Sequence, residues 1–303
     1  MTSRDKLMGF PSCYVISLET NTTRREYMTK ELTKLGIEKF KFLTYPRYDS
    51  NKSTYPVKGQ QYVIDALSYD NHLGVLFSHL LTIKWWYEHT AEDVCTIMED
   101  DVDFSTIEYW NFSYVEFMEK LGTRWDVVQL CASFQFPFAM YPRVRTDMDN
   151  GAVCYIIKRC YAKKLIDYYF DENGGFNVKH PVQYSRNRLP FKDYAPYDST
   201  VSDIVEASEF YQNYGRISTE NLIYGIGLVY VFCLFNHNVE FKTTNHIDSK
   251  KRLKNQVKFQ KRSHDYIKEW WVETGSKGSL GDIFNFDWAC SNHEYYNVLH
   301  IDN

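Results

Sequence analysis

Four carboxylates fall within five residues at Glu99-Asp100-Asp101-Val102-Asp103, directly after the apolar run Val94-Cys95-Thr96-Ile97-Met98. Carboxylates this close repel one another unless a cation or a proton neutralises them, and in open α/β sheets ligands collect beyond the carboxyl ends of strands. A hard divalent ion such as Mn2+ or Mg2+, held by one or two carboxylates and completed by phosphate oxygens, meets both conditions. An acidic turn capping the next helix meets the pattern without any metal, so these residues alone leave both readings open. Elsewhere, Arg24 and Arg25 follow an early apolar run, where a guanidinium suits a phosphate. Gly225-Ile226-Gly227 lacks a third glycine at the needed spacing and is no dinucleotide fingerprint.

The elements that must position these groups can be read from periodicity. Cys13 to Leu18 is a β-rich apolar run, and Thr23-Arg24-Arg25-Glu26 has the pattern of a capping box ahead of Met28, Leu32 and Leu35 at helical spacing, with Gly36 as the stop. Phe40 to Tyr45 reads as a second strand, and Asp49 to Gln61 as a loop. Leu73, Leu76, Phe77, Leu80 and Ile83 through Trp85 describe a helix that feeds the strand at Val94 to Met98. Further strands are expected at Asp126 to Cys131, Ala152 to Ile157 and Leu228 to Leu234, with a helix from about Arg159 to Tyr169. This alternation predicts an α/β fold with a mixed, mostly parallel central sheet and helices on both faces. The polar, Tyr-rich stretch from Phe170 to Tyr214 is long for a connection and is a candidate lid over a substrate.

Composition bounds the function. With 303 residues, 44% hydrophobic and 24% charged, the chain can bury a sizeable core, and its length allows one large domain or two. Lys+Arg 35 against Asp+Glu 39 gives a net charge of −4, which disfavours a dedicated nucleic-acid binder. Aromatic residues reach 17%, and their flat faces suit sugar stacking as well as core packing. The seven cysteines are scattered with neither disulfide nor zinc spacing, which fits a reducing compartment. Neither a leader-like N-terminus nor a long apolar run is present, so the expectation is a cytoplasmic protein whose sequons at Asn21, Asn51 and Asn111 go unused. Lys250 to Arg262 carries seven Lys/Arg and no acid, which is either a solvated helix face or a weak contact to an anionic membrane surface.

Three blocks in order resemble glycosyltransferase family 25: Tyr14-Val15-Ile16-Ser17-Leu18 with Thr23-Arg24-Arg25, then Leu73-Gly74-Val75-Leu76-Phe77-Ser78-His79-Leu80, then Ile97-Met98-Glu99-Asp100-Asp101-Val102. The likeness continues in Trp125-Asp126-Val127-Val128, in Gly151 to Ile157 and in Glu220 to Phe235, and spans about residues 12 to 247. That family includes bacterial lipooligosaccharide and collagen galactosyltransferases, with relatives encoded by large DNA viruses. The resemblance implies a GT-A type fold, a UDP-sugar donor, usually of galactose or glucose, a Mn2+-type cofactor (or Mg2+), and inversion at the anomeric carbon. The implied partners are that nucleotide-sugar donor and a glycan or glycosylated protein acceptor. A single catalytic domain over 1–247 is expected, its donor half at about 12–130 and its acceptor half at 131–247, followed by a basic then aromatic extension over 248–303.

On this reading Glu99, Asp101, Asp103 and His246 are the candidate metal ligands, and Arg24, Arg25, Ser78, His79 and Asp100 the candidate donor-binding residues. Inversion also needs a separate carboxylate base. Where the family carries an Asp, this chain has Glu220, the leading candidate, with Asp198 and Asp203 in the lid stretch as alternatives. A helix-start acid on the surface is the plain structural reading of Glu220. The helix block opens Asn71-His72 where the family commonly has an acid. These two differences keep a second function open, a weakened or inactive sugar-nucleotide or glycan-binding protein on the same fold.

Overall fold

A computed structural model describes residues 1–48, 57–68, 72–133, 140–145, 149–179, 218–241 and 250–285. A short α1 (Ser3–Lys6) precedes β1 (Cys13–Leu18), α2 (Thr22–Lys34) and β2 (Phe40–Tyr45). There follow β3 (Val57–Gly59), α3 (Gln61–Ser68), α4 (His72–His89), β4 (Val94–Glu99), β5 (Val102–Asp103), a 3-10 turn at Ser105–Tyr109, α5 (Tyr114–Leu121), β6 (Val127–Ser133), β7 (Arg143–Val144), β8 (Asn150–Lys158), α6 (Arg159–Tyr169) and β9 (Phe176–Val178). The last elements are α7 (Thr219–Tyr224), β10 (Val229–Val231), β11 (Asn236–His237), α8 (Lys250–Trp270), a π turn at Trp271–Gly275 and α9 (Leu280–Ile283).

Seven strands form one sheet in the order β2-β1-β4-β8-β6-β10-β7. β2, β1, β4, β6 and β10 run one way, and β8 and β7 run the other. Side chains alternate between the two faces with a period of two. Cys13 and Val15 of β1 therefore join Met28 and Leu32 of α2, Phe117 of α5 and Trp270 of α8 in one core. Tyr14 and Ile16 join Leu76 and Leu80 of α4, Leu165 of α6 and Leu222 of α7 in the other. Burial on both faces explains why the strands read as continuous apolar runs. This is the α/β, mixed and mostly parallel architecture expected, with helices on both faces.

Three local expectations differ. Asn21, not Thr23, occupies the cap position of α2, and its side chain makes no bond to the helix. Part of the expected 49–61 loop is β3, which pairs in parallel with β9. The pairing needs glycine at 59, because a Cβ there would lie 1.8 Å from the Val178 carbonyl oxygen. The strand expected over Leu228 to Leu234 ends at Val231. Phe232 and Phe235 still donate backbone N–H bonds to Gln129 and Leu130 of β6, but their rings enter the first core. Of the lid stretch, 170–179 is described and includes β9; the rest lies outside the described residues.

The C-terminal segment is bonded into the same core. Trp271 is fully buried, donates its indole N–H to the Cys233 carbonyl at 2.9 Å, and packs against Trp110, Phe112 and Phe232. No helix among the described residues is long and apolar enough to cross a membrane.

Truncating a buried Trp removes both its transfer free energy and its contacts, typically ~3–5 kcal/mol. Trp271→Ala is therefore expected to lower unfolding stability by that amount in a denaturant titration. A loss under about 1 kcal/mol, a typical single-mutation value, would detach α8 from the cooperative core.

Candidate active site

β1 and β4 run parallel with Ile16 opposite Glu99, so both strands end at the same edge of the sheet. The four acids emerge at that edge, and each meets a different environment. Asp100 is saturated: Ser17 Oγ and Asn21 Nδ2 donate to its Oδ2 at 2.6 and 3.2 Å, and Arg24 Nη1 donates to Oδ1 at 2.9 Å. This is where the Asn21 side chain goes in place of capping α2. Asp103 is equally occupied, accepting from Ser105 N and Oγ at 2.9 and 2.8 Å and from His264 Nε2 of α8 at 3.3 Å. Burial opposes its charge, yet the His264 and Ser105 bonds hold its carboxyl below the usual range.

Asp101 and Glu99 are the acids with capacity left. Arg24 Nη1 reaches Asp101 Oδ2 at 3.0 Å, while Asp101 Oδ1 is buried with no hydrogen-bond partner. Burial, and then the neighbouring Glu99 charge, push the Asp101 carboxyl up to about 7. Glu99 Oε1 accepts from His79 Nε2 at 3.4 Å. Burial works against the Glu99 charge, but the His79 hydrogen bond and the Arg24 guanidinium keep its carboxyl below the ordinary value. The pair thus takes up a proton near neutrality, on Asp101.

The flanking candidates divide. Arg24 is buried in the cluster and bridges Asp100 and Asp101. Arg25 instead binds the end of β1, donating to the Leu18 and Glu19 carbonyls at 2.5 and 3.0 Å. Ser78 donates to the Val75 carbonyl within α4 at 2.8 Å. His79, on the same helix, is fully buried and faces Glu99. Asp198, Asp203 and His246 lie outside the described residues.

Glu220 sits in the first turn of α7, whose cap Ser218 accepts from Asn221 N. It is buried, which removes the reading as a surface helix-start acid. Arg145 donates to Asn221 Oδ1 at 2.8 Å and lies 4.8 Å over the Tyr224 ring, so a cation anchors the helix that carries Glu220.

Two histidines were not legible in the sequence. β11 pairs with β5, placing His237 opposite Val102, and Asn238 N donates to the Asp101 carbonyl at 2.8 Å. Burial pushes the His237 imidazole down to about 4, so it is neutral there. His264 arrives from α8. Neither carries a local motif, and only the pairing of distant segments reveals them.

The residues present fit a divalent ion held in part by its ligand. Among the described residues no three His, Cys, Asp or Glu side chains form a ready-made cage. Glu99 and Asp101 would supply the protein oxygens, the orphaned Asp101 Oδ1 foremost. That number suits ions that keep water and phosphate oxygens as their other ligands.

Fold and site together define an α/β protein with a polar centre at the carboxyl ends of β1 and β4. The model of glycosyltransferase family 25, described as an LPS biosynthesis protein family, matches residues 10–178. The match covers more than half of the chain, and the chain belongs to that family: it is a glycosyltransferase. The matched region holds Arg24, His79 and the acidic cluster, while Glu220, His237 and His264 lie beyond it. No curated protein matches the sequence. Seven chains of solved structures match. One, HddC from Yersinia pseudotuberculosis, aligns over 75% of this chain and 93% of its own at 11% identity with a TM-score of 0.29.

The Asp101 carboxyl titrates near 7 in the folded protein against an ordinary 3.8. Between those values the folded state keeps a proton that the unfolded state has released, so metal-free protein loses stability as pH rises through this window. Below it both states are protonated, and above it the loss is complete. Asp101→Asn is expected to flatten that decline in thermal melts with chelator between about pH 4 and 8. An unchanged pH slope in the variant would place the raised carboxyl elsewhere.

Proposed function

We propose that this glycosyltransferase moves a hexose, galactose or glucose, from a UDP-sugar to a hydroxyl of a glycan or protein acceptor, with Mn2+ or Mg2+ and with inversion. The observation that carries the reading is the buried, unpartnered Asp101 Oδ1 beside Glu99, which asks for a proton or a cation. When bound, the ion would clamp the donor diphosphate and offset the charge that develops on the leaving group. His246 is a further candidate ligand.

The chain's own groups do the rest. Arg24, Ser17 and Asn21 fix Asp100 and so hold the loop that carries Asp101. His79 orients Glu99. Glu220 is the proposed base: as the acceptor oxygen attacks the anomeric carbon and the bond to UDP breaks, the hydroxyl proton passes to a Glu220 carboxylate oxygen. Asp198 and Asp203 are the alternatives for that role.

A ligand that binds only the native state stabilises it by RT ln(1 + [L]/Kd), about 2.7 kcal/mol at a hundredfold excess. UDP with Mn2+ is expected to raise the melting temperature more than ADP or GDP with Mn2+; equal shifts for all three would remove the uridine assignment. Glu220→Gln is expected to cut sugar transfer by about 10²–10⁴-fold while leaving UDP-sugar affinity unchanged in calorimetry. Retention of near-normal transfer would make Glu220 structural and pass the role to Asp198 or Asp203, tested by the same assay on their Asn variants.

A further inference from the structure

The geometry points to Tyr155 as a positioning residue: its hydroxyl donates to His79 Nδ1, fixes the imidazole proton on Nε2, and thereby holds one Glu99 oxygen while leaving the other to the site. Tyr155 lies on β8 directly opposite Ile97 of β4, two residues before Glu99 and on the same face of the sheet. His79 reaches that face from α4, with Nδ1 3.0 Å from the Tyr155 hydroxyl and Nε2 3.4 Å from Glu99 Oε1. Both residues are fully buried, so water does not compete for these bonds.

The direction of the relay follows from its two ends. A carboxylate only accepts, so Nε2 must carry a proton. An imidazole protonated on Nδ1 alone would set the Nε2 lone pair against the Glu99 charge. The nitrogen that bears the proton is chosen by the bond the other nitrogen makes, and here that bond is to Tyr155. Burial pushes the Tyr155 phenol well above its ordinary value, so the hydroxyl keeps its proton to donate. The ring is fixed in turn, lying near-parallel to His79 with centroids 5.7 Å apart and edge-on to Tyr224 at 5.5 Å. Tyr224 follows Glu220 by one helical turn on α7, so the stack reaches the helix that carries Glu220.

The assignment rests on the proposed function for Glu99's role toward the donor, and two measurements separate the claims. Nitrogen-15 NMR of the wild-type protein should show His79 protonated on Nε2 and unprotonated on Nδ1, with His79→Gln identifying the signal. A Nδ1–H tautomer in the wild type overturns the relay without need of any variant. In Tyr155→Phe, which keeps the ring and loses the donor, the Nδ1 resonance should lose the shift its hydrogen bond from Tyr155 produces, while Glu99 still draws the proton to Nε2. Mn2+-dependent UDP affinity should fall about 10–100-fold, the usual loss for an outer partner of a metal ligand, and a change under about threefold would overturn the positioning role. If the wild type binds UDP no better with Mn2+ than without, the donor reading fails, and the tautomer alone decides whether Tyr155 sets His79.

Discussion

A single buried guanidinium binds two of the four acids that crowd one strand end. Arg24 Nη1 lies 2.9 Å from Asp100 and 3.0 Å from Asp101. At such separations two unit charges interact by roughly 4 kcal/mol where the effective dielectric constant is about 20, enough to decide which carboxylates ionise. Removing one member of a buried pair leaves an uncompensated charge at a cost of about 3–5 kcal/mol. The cluster therefore dictates where α2 begins. Asn21 gives up a helix cap, typically worth ~1 kcal/mol, to bond Asp100, which also accepts from Ser17 near the end of β1.

The same cation sorts the acids by task. Asp100, with three donors, is a keystone of the loop, whereas Asp101, held through one oxygen, keeps the other oriented and unsatisfied. A site that must take up and release a charged ligand needs such a residue. A fully paired carboxylate has nothing to offer, and an exposed one would not be shifted.

Much of this was legible in the sequence because it is local. Cys13 to Leu18, Phe40 to Tyr45 and Arg159 to Tyr169 form the expected elements, since strand alternation and helical spacing report burial directly. The acidic cluster stands out in the sequence by its density. What stayed hidden depends on pairing across the chain. β8 inserts antiparallel between β4 and β6, and that insertion alone sets Tyr155 beside His79. His237 reaches the cluster through a two-residue ribbon, and His264 through a helix that reads as a basic surface run. The burial of Glu220 within Thr219-Glu220-Asn221 is likewise invisible in so polar a stretch, because Arg145, which steadies the helix, lies far back in the chain just after β7.

α8 gives the C-terminal region a reason to be part of the site. Trp270 and Trp271 seat it in the core that also holds β1 and α5. From there His264 donates to Asp103, and its backbone carbonyl accepts from Asn236 Nδ2 at 2.9 Å. Asn236 pairs with Asp103 across the β5–β11 ribbon. The far end of the acidic loop is thus tied from a side chain, a ribbon and a helix at once, as Ser17, Asn21 and Arg24 tie its near end. Between two fixed ends, Asp101 has little freedom to move toward a partner, so the partner must come to it. That is the preorganisation an electrostatic site requires, since charge held in place before the reaction needs no reorganisation during it.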